Sequence, residues 1–315
     1  MPIRLPVRNA YLSHLSPTPL APVQLEDDGP VVWCKLEFLN PSGSTKDRIA
    51  RFILEKAWRE DRLNPGSIVV EASSGSTSIA MALACAQLGV RFVAVMPEGV
   101  SNERVLMIRA YGGEVRFTPR SKGLGGALCE TERLASEDSH VFLPRQFSNQ
   151  DNPLAHQTTT AHEILDQIPG NAVDAVVSGV GTGGTLVGLF RGFCQSGCPA
   201  VPVLAKPVNL SGPPDAECCS FSARIPGVVD CVSTIFHPDE LPGLLTIEVQ
   251  DEQAISTTRE LIRRGFPVGP SSGLNYCAAI EAIRRMGDAQ ARVVTVFPDR
   301  MERYFSTELF TRPEC

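Results

Sequence analysis

The fold is decided by the segment Ala172-Val173-Asp174-Ala175-Val176-Val177-Ser178-Gly179-Val180-Gly181-Thr182-Gly183-Gly184-Thr185. Its first half is apolar and rich in valine, which predicts a buried strand over residues 172–177. The glycines that follow predict a tight turn, and the apolar spacing over 186–194 predicts a helix. A strand, a glycine loop and a helix in this order are typical of a parallel α/β sheet.

The same alternation extends to both sides of this segment. Strands are predicted over 31–38, 67–72, 91–96, 114–118, 199–205 and 292–297, and helices over 45–61, 79–88, 102–111, 152–167, 251–264 and 273–285. Residues 206–224 are interpreted as irregular. We therefore predict two α/β lobes, each a mostly parallel sheet flanked by helices. The predicted domains span 1–145 and 146–315, with residues before about 40 free to cross to the other lobe.

Composition limits the possible function classes. The chain has 315 residues, of which 43% are hydrophobic and 20% charged, and its net charge is −6. General nucleic-acid binders and anionic-membrane binders usually carry excess positive charge, so both classes are disfavoured. No apolar run reaches the roughly 18–20 residues of a membrane helix, and the first residues are too polar for a signal peptide. We expect a cytoplasmic protein that binds neither nucleic acid nor membrane.

Ten cysteines are present, but their spacing does not indicate a metal centre. No Cys-x-x-Cys occurs, and the two clusters, Cys194 with Cys198 and Cys218 with Cys219, lack closely spaced histidines. We predict no metal site, and thiols that stay reduced in a reducing compartment.

The glycine loop has four possible interpretations. Gly179-x-Gly181-x-x-Gly184 matches a dinucleotide fingerprint, but the next strand ends at Lys206 without the acidic residue that a ribose requires. A phosphate-binding P-loop needs a lysine, and the loop has none. A third interpretation is a cradle for a single phosphate, made by backbone N–H groups, the helix N-terminus and the hydroxyls of Thr182 and Thr185. The fourth is a purely structural turn.

One lysine indicates which phosphorylated molecule such a cradle would bind. Only five of the 29 basic residues are lysines, and Lys46 lies at the start of a predicted helix. The positive end of the helix dipole should lower its pKa and favour the neutral amine that forms a Schiff base. A phosphate cradle together with such an amine indicates pyridoxal phosphate. The polar loop Ser73–Thr77 also begins a helix and could bind a substrate carboxylate.

The segment around this lysine resembles a known motif. Lys35-Leu36-Glu37-Phe38-Leu39-Asn40-Pro41-Ser42-Gly43-Ser44-Thr45-Lys46-Asp47-Arg48 is similar to the lysine motif of fold-type II pyridoxal-phosphate enzymes, in particular the cysteine synthase and cystathionine β-synthase group. Further motifs of this group are Thr18-Pro19-Leu20, Gln146-Phe147-Ser148-Asn149, His156-Gln157-Thr158-Thr159, the glycine loop, Pro270-Ser271-Ser272-Gly273 and Glu302-Arg303-Tyr304-Phe305-Ser306-Thr307. The resemblance implies a two-lobed fold like that of the tryptophan synthase β-chain.

The resemblance also implies roles for individual residues. Lys46 would hold the cofactor and later move the α-proton of the substrate. The implied cofactor-binding residues are Lys46, Ser76, Gly181, Thr182, Gly183, Gly184, Thr185 and Ser271. The implied substrate-carboxylate residues are Ser73, Ser74, Gly75, Thr77 and Gln146. Enzymes of this group are usually homodimers, so we expect a homodimer.

Several positions depart from the family pattern. Ser76 replaces the usual asparagine beside the cofactor's 3′ oxygen, Lys206-Pro207 replaces Glu-Pro, Ile225-Pro226-Gly227 stands near the usual Gly-Ile-Gly, and Pro298-Asp299-Arg300-Met301 replaces a small Ser-Ser-Gly turn. The Ser-Ser-Gly-Ser-Thr loop is also similar to that of cysteine desulfhydrases.

The leading hypothesis is β-replacement on an activated L-serine, O-acetylserine or O-phosphoserine, through an aminoacrylate. Sulfide as the nucleophile would give L-cysteine. The alternatives are elimination from L-cysteine to sulfide, pyruvate and ammonia, and a specialised synthase that adds another nucleophile. A catalytically silent relative is a fourth hypothesis, which predicts damage at Lys46 or the phosphate loop, and both are intact.

Overall fold

The computed structural model describes residues 16–209, 222, 224–228 and 233–311. The strands are β1 (Leu20–Val23), β2 (Val32–Lys35), β3 (Ile68–Ala72), β4 (Arg91–Pro97), β5 (Glu114–Thr118), β6 (Val141–Phe142), β7 (Ala175–Ser178), β8 (Val201–Val208), β9 (Leu245–Gln250) and β10 (Val293–Val296). The helices are α1 (Lys46–Arg59), α2 (Ser76–Leu88), α3 (Asn102–Ala110), α4 (Gly123–Glu137), α5 (Asp151–Ala155), α6 (Ala161–Gln167), α7 (Gly184–Gln195), α8 (Asp251–Arg263), α9 (Pro270–Met286) and α10 (Glu308–Thr311).

These elements form two sheets, which confirms the predicted α/β fold. The larger sheet has the order β1-β2-β10-β7-β8-β9 and is parallel except for the β1–β2 hairpin at its edge. The smaller sheet has the order β5-β4-β3-β6 and is parallel throughout. The hairpin formed by residues 20–35 therefore joins the larger sheet through β10, a strand from the second half of the chain.

Helices cover both faces of each sheet. In the larger sheet, Val177 packs in the core shared with α9, and Val176 packs in the core of the opposite face with α7. In the smaller sheet, Val69 lies in the core formed with α1 and α2, whereas Val70 faces α4. The central strands β7 and β10 are fully buried, as the valine-rich segment predicts for a parallel strand covered on both faces. No helix in the described ranges is both long enough and apolar enough to cross a bilayer.

Some boundaries differ from the sequence predictions. Helix α2 begins at Ser76 rather than at residue 79, so the end of the polar loop forms the first helical turn. The predicted helix over 152–167 consists of α5 and α6 joined by a π-helical turn, His156–Thr160. Of the stretch 206–224, residues 206–208 extend β8, while 210–221 and 223, including Cys218 and Cys219, lie outside the described residues.

A buried cluster of four charges joins the two halves of the molecule beneath Lys46. Arg48 of α1 contacts Glu37, which follows β2, at 2.6 Å, and Glu163 of α6 at 2.6 Å. Lys35 of β2 contacts Glu163 at 2.8 Å. Two positive and two negative charges balance one another, so the cluster is neutral while it fixes α1 against the larger sheet.

Replacing Glu37 by glutamine is expected to lower the free energy of unfolding by about 3–5 kcal/mol at pH 7, because Arg48 stays buried with one partner fewer. Burial alone would raise the pKa of Glu37, but the Arg48 guanidinium outweighs it and holds the pKa at about 2. The unfolded carboxyl titrates near 4.5, so this stabilisation is complete above about pH 5 and is lost as the pH falls through 2. Urea unfolding at several pH values measures the effect.

In that experiment the difference in unfolding free energy between wild type and Glu37→Gln should decrease steadily as the pH falls from 5 to 3. The matched control is Glu60→Gln, which removes an exposed ion pair with Arg62 and should change the unfolding free energy by less than about 1 kcal/mol. Equal effects of the two substitutions at pH 7 would contradict the assignment.

Candidate active site

A cavity lies at the carboxyl ends of β3, β7 and β10 and encloses about 1000 Å³, part of it open to solvent. Ligand sites in open α/β sheets occupy this end of the strands. The sequence-predicted residues that line it are Lys46, Ser73, Ser74, Ser76, Thr77, Gln146, Gly181, Thr182, Gly183, Thr185 and Ser271. Gly75 and Gly184 do not line it, but each adjoins lining residues and packs closely against a neighbour, Arg104 and Asn152 respectively. The structure thus brings the two predicted loops and the lysine together.

Lys46 is the first residue of α1 and is presented by a tight loop. Gly43 in this loop has a φ of +81°, a left-handed conformation that glycine adopts without strain. The Ser42 N–H donates to Asp47 Oδ1 at 2.9 Å, and the Ser42 hydroxyl bonds to the same carboxylate. These contacts fix the turn that directs Lys46 toward the cavity.

The Lys46 amine has a lowered pKa, as the sequence predicts, but the physical cause differs. The largest effect is burial of the ammonium, which favours the neutral amine. The negative charges of Asp299 and Glu37 act in the opposite direction and do not outweigh it. A neutral amine is the nucleophilic form, so Lys46 can react with an aldehyde.

The glycine loop packs so closely against its neighbours that Gly181 and Gly184 have no room for a side chain. Gly183 has a φ of +83°. A Cβ on Gly181 would lie 2.2 Å from the Gly227 carbonyl oxygen, and a Cβ on Gly184 would lie 1.8 Å from Asn152 Oδ1. The loop leads directly into α7, whose first-turn N–H groups have no intrahelical acceptors. Such a helix start binds anionic groups, phosphate above all.

The two threonines of this loop are held by neighbours on α5 and at the start of the π-helical turn. Thr182 Oγ1 accepts from Asn152 Nδ2 at 3.0 Å, and Thr185 Oγ1 lies 3.4 Å from His156 Nε2. Burial lowers the pKa of His156 to about 3, so its ring is neutral at physiological pH. Ser271, the second residue of α9, lines the same cavity.

The polar loop Ser73–Thr77, called the serine loop below, leads into α2 and is hydrogen-bonded to Gln146. The Ser73 hydroxyl accepts from the Gly75 N–H at 3.0 Å. The Thr77 hydroxyl donates to Gln146 Oε1 at 2.6 Å, and Gln146 Nε2 donates to the Ala72 carbonyl at 2.7 Å. The Thr77 proton is therefore engaged, which leaves the first-turn N–H groups of α2 and the second Nε2 hydrogen of Gln146 as donors.

Of the cavity-lining residues that were not predicted as site residues, three are ionisable: Arg104, Asp299 and Tyr304. Arg104 donates to the Ser74 carbonyl at 3.3 Å, and its guanidinium carbon lies 5.1 Å from the centre of the Tyr304 ring. Asp299 Oδ2 accepts from the Ser76 hydroxyl at 3.0 Å and from the Tyr304 hydroxyl at 2.7 Å. The sequence marked Asp299 as an unusual residue, whereas no pattern distinguished Arg104 from a surface arginine.

The other family departures fall in different places. Lys206 lies on β8 and pairs with Glu248 at 3.1 Å, on the surface of the larger sheet. Pro226 and Gly227, by contrast, line the cavity. Of the four departures, those at Ser76, Asp299 and the Pro226-Gly227 turn therefore face the site.

The arrangement fits a phosphorylated aldehyde. The glycine loop can hold a phosphate, the neutral Lys46 amine can bond to an aldehyde carbon, and the space between them is lined by Ser271, Ser76 and Asp299. The serine loop offers a second anion site, suited to a carboxylate, on the same cavity.

Comparison with known proteins agrees with this chemistry. Residues 11–299 match the family described as pyridoxal-phosphate dependent enzymes. A cysteine synthase from Staphylococcus aureus is 37% identical over 299 residues, which cover 91% of each chain. The structure of an O-ureido-L-serine synthase superposes with a TM-score of 0.85 and 32% identity, covering 98% of this chain and 97% of the other. A hydrogen sulfide-producing enzyme from Fusobacterium nucleatum gives a TM-score of 0.82 with 30% identity, covering 95% and 100%.

The match extends over nearly the whole chain and includes both the lysine loop and the glycine loop. The cavity described above supplies the groups that this family's cofactor requires. The chain belongs to the family of pyridoxal-phosphate dependent enzymes, and pyridoxal phosphate is its cofactor.

Proposed function

We propose that the protein catalyses β-replacement on an activated L-serine, O-acetylserine or O-phosphoserine, most simply with sulfide to give L-cysteine. The observation that carries this proposal is the presence of Lys46, the phosphate cradle and a separate carboxylate loop on one cavity. The similarity to a cysteine synthase over 91% of the chain supports the same reaction.

We propose the following roles in the reaction. Bound pyridoxal phosphate supplies the electron sink for bond breaking at the substrate's α- and β-carbons. The loop Gly181–Thr185 would hold its phosphate, Ser271 would contact its ring, and Lys46 would bind its aldehyde carbon. As a neutral amine, Lys46 Nζ would also be the base that accepts the α-proton of the substrate.

The substrate carboxylate is proposed to bind at the serine loop. The first-turn N–H groups of α2, the Ser73 and Ser74 side chains and Gln146 Nε2 surround the same end of the cavity. Helix N-termini favour carboxylates by about 0.3–1 kcal/mol. Fixing this end of the substrate orients its α-carbon relative to Lys46, which reduces the entropy lost on reaching the transition state.

Arg104 is expected to strengthen carboxylate binding, because it is a buried cation that holds the Ser74 carbonyl in the serine loop. Arg104→Gln should raise the KM for the amino-acid substrate about tenfold, as expected for the loss of about 1.4 kcal/mol from a charged hydrogen bond, with a smaller change in kcat. Steady-state kinetics measure this. Arg109→Gln on the exposed face of the same helix is the control and should leave KM unchanged. Equal KM values for both variants would contradict the role.

A second candidate function is elimination of sulfide from L-cysteine. Ser76, in the Ser-Ser-Gly-Ser-Thr loop that resembles desulfhydrases, faces the cavity. The similarity to a hydrogen sulfide-producing enzyme favours the same candidate. The similarity to an O-ureido-L-serine synthase supports a third, in which another nucleophile replaces sulfide.

The deciding experiment is to add O-acetylserine, O-phosphoserine and L-cysteine separately to the purified holoenzyme and to record its visible absorption and products. Replacement chemistry predicts a spectral change with one activated serine, and L-cysteine once sulfide is supplied. Pyruvate and sulfide from L-cysteine alone, at a higher kcat/KM, would establish the second candidate instead. No response to any of the three would overturn both.

We further propose that the protein is a cytoplasmic homodimer. Each chain would consist of two domains that meet near residue 145. Sedimentation of the holoenzyme should give about twice the chain mass of 34.0 kDa. Fractionation of the native cell should place the protein with cytoplasmic markers.

A further inference from the structure

The segment 298–301 lies between the two loops that carry Lys46 and Ser271. On one side, the Thr45 N–H donates to the Pro298 carbonyl at 2.8 Å, and Ser44 forms a bridge with Asp299. On the other side, the Gly269 N–H donates to the Asp299 carbonyl at 2.9 Å. The backbone of Asp299 is therefore held on both sides. It pairs with Ser44, next to Thr45, and with Gly269, two residues before Ser271.

The Asp299 side chain lies within this frame and is almost fully buried, with 6% of its surface exposed. Oδ2 accepts from the hydroxyls of Ser76 and Tyr304, whereas Oδ1 has no hydrogen-bond partner among the described residues. Oδ1 packs against Gly269, where a Cβ would lie only 2.4 Å away. A glycine at this position thus makes room for a carboxylate at the start of α9, where the helix dipole stabilises negative charge.

The hydrogen bond to Asp299 determines whether the Ser76 hydroxyl can donate to a ligand or only accept from it. A serine hydroxyl has one proton and two lone pairs, and the Ser76 proton points to Asp299. Ser76 can therefore only accept a hydrogen bond from a group in the cavity. On pyridoxal phosphate joined to a lysine, the ring hydroxyl and the protonated nitrogen of the link can both donate such a bond.

We propose that Asp299 is a positioning residue for the cofactor: it fixes Ser76 as a hydrogen-bond acceptor and keeps a negative charge beside Lys46, so that the lysine-bound cofactor is held in its protonated form. The inference rests on the proposed role of Lys46, but not on which β-replacement the enzyme catalyses. Two positions that depart from the family pattern, Ser76 and Asp299, thereby act as one unit.

Charged and titratable groups lie around Lys46 and its cavity on several elements. They are Glu37 after β2, Arg48 of α1, Arg104 of α3, His156 after α5, and Asp299 and Tyr304 after β10. Glu37 is engaged with Arg48 at 2.6 Å, and burial keeps His156 neutral. Among the described residues that line the cavity, Asp299 is therefore the acidic one that can act on the lysine-bound cofactor.

The test is the pH dependence of the visible absorption band of the holoenzyme. In Asp299→Asn the pH midpoint at which the lysine-bound cofactor loses its proton should fall by about one unit or more, because a nearby opposite charge is removed. Ser76→Ala should lower the midpoint by a smaller amount. The two changes should be less than additive in the double variant, because Asp299 acts partly through Ser76.

The control is Asp239→Asn, an exposed carboxylate outside the cavity, which should leave the midpoint unchanged. An unchanged midpoint in Asp299→Asn, even with weaker cofactor binding or lower stability, would overturn the inference. If that variant does not fold, Ser76→Ala carries the test, and an unchanged midpoint there has the same meaning. A normal shift in an enzyme that makes no L-cysteine would refute the proposed reaction while leaving this inference intact.

Discussion

Lys46→Ala is expected to abolish the absorption band of the lysine-bound cofactor and to lower kcat by roughly a thousandfold or more. The variant loses both the amine that binds the aldehyde carbon and the group that accepts the α-proton, and general acid–base catalysis alone contributes about 10²–10⁴-fold. The glycine loop remains, so the phosphate still provides a binding site. Absorption spectroscopy and turnover with each activated serine measure the two losses.

Lys206→Ala is the matched control, since Lys206 lies on β8 and pairs with a surface glutamate. It should keep the absorption band and nearly all of the turnover. An Lys46→Ala protein with an unchanged band would show that another amine binds the cofactor, and the assigned roles around the cavity would then be wrong.

Gly181→Ala is expected to weaken cofactor binding about fivefold to a hundredfold. Its Cβ would lie 2.2 Å from a backbone carbonyl oxygen of Gly227, so one of the two loops must move. Overpacking of this kind costs about 1–3 kcal/mol, and 1.4 kcal/mol corresponds to a factor of ten in affinity. The dissociation constant is measured by fluorescence titration of the apoenzyme with pyridoxal phosphate.

The control is Gly125→Ala in the exposed part of α4, where a Cβ would meet no atom within 4 Å. There the substitution should raise the free energy of unfolding by about 0.5–1 kcal/mol and leave cofactor affinity unchanged. If both substitutions affected affinity alike, the close approach at Gly181 would not explain the effect.

Much of the fold is encoded in local patterns. The valine-rich runs of β7 and β10 predict buried parallel strands, and both are fully buried. Helix α4 escaped prediction because it begins Gly123-Leu124-Gly125-Gly126, and glycine ordinarily weakens a helix. Strand β9 was missed although its residues Leu245 to Gln250 alternate apolar and polar side chains, the pattern of a half-buried strand. Helix α4, by contrast, depends on tertiary contacts that local propensity does not contain.

The candidate site was predicted where the chain carries a local motif. Lys46 and the glycine loop are each defined by a short segment, and their positions on one cavity follow from the parallel sheets. Arg104 could not be predicted in this way. It is one of two arginines on α3, and only the tertiary fold brings it to the site. The bond between Ser76 and Asp299 joins residues 223 positions apart, which no local pattern encodes.

The position of β10 also bears on the time at which the protein becomes active during its synthesis. This strand is translated long after β2, and it pairs with β2 on one side and β7 on the other, in the middle of the larger sheet. The lysine loop is held by residues 298–300, so a chain still growing before these residues has neither the central strand nor a fixed Lys46. A premature stop shortly before residue 293 would therefore yield a protein without a formed site.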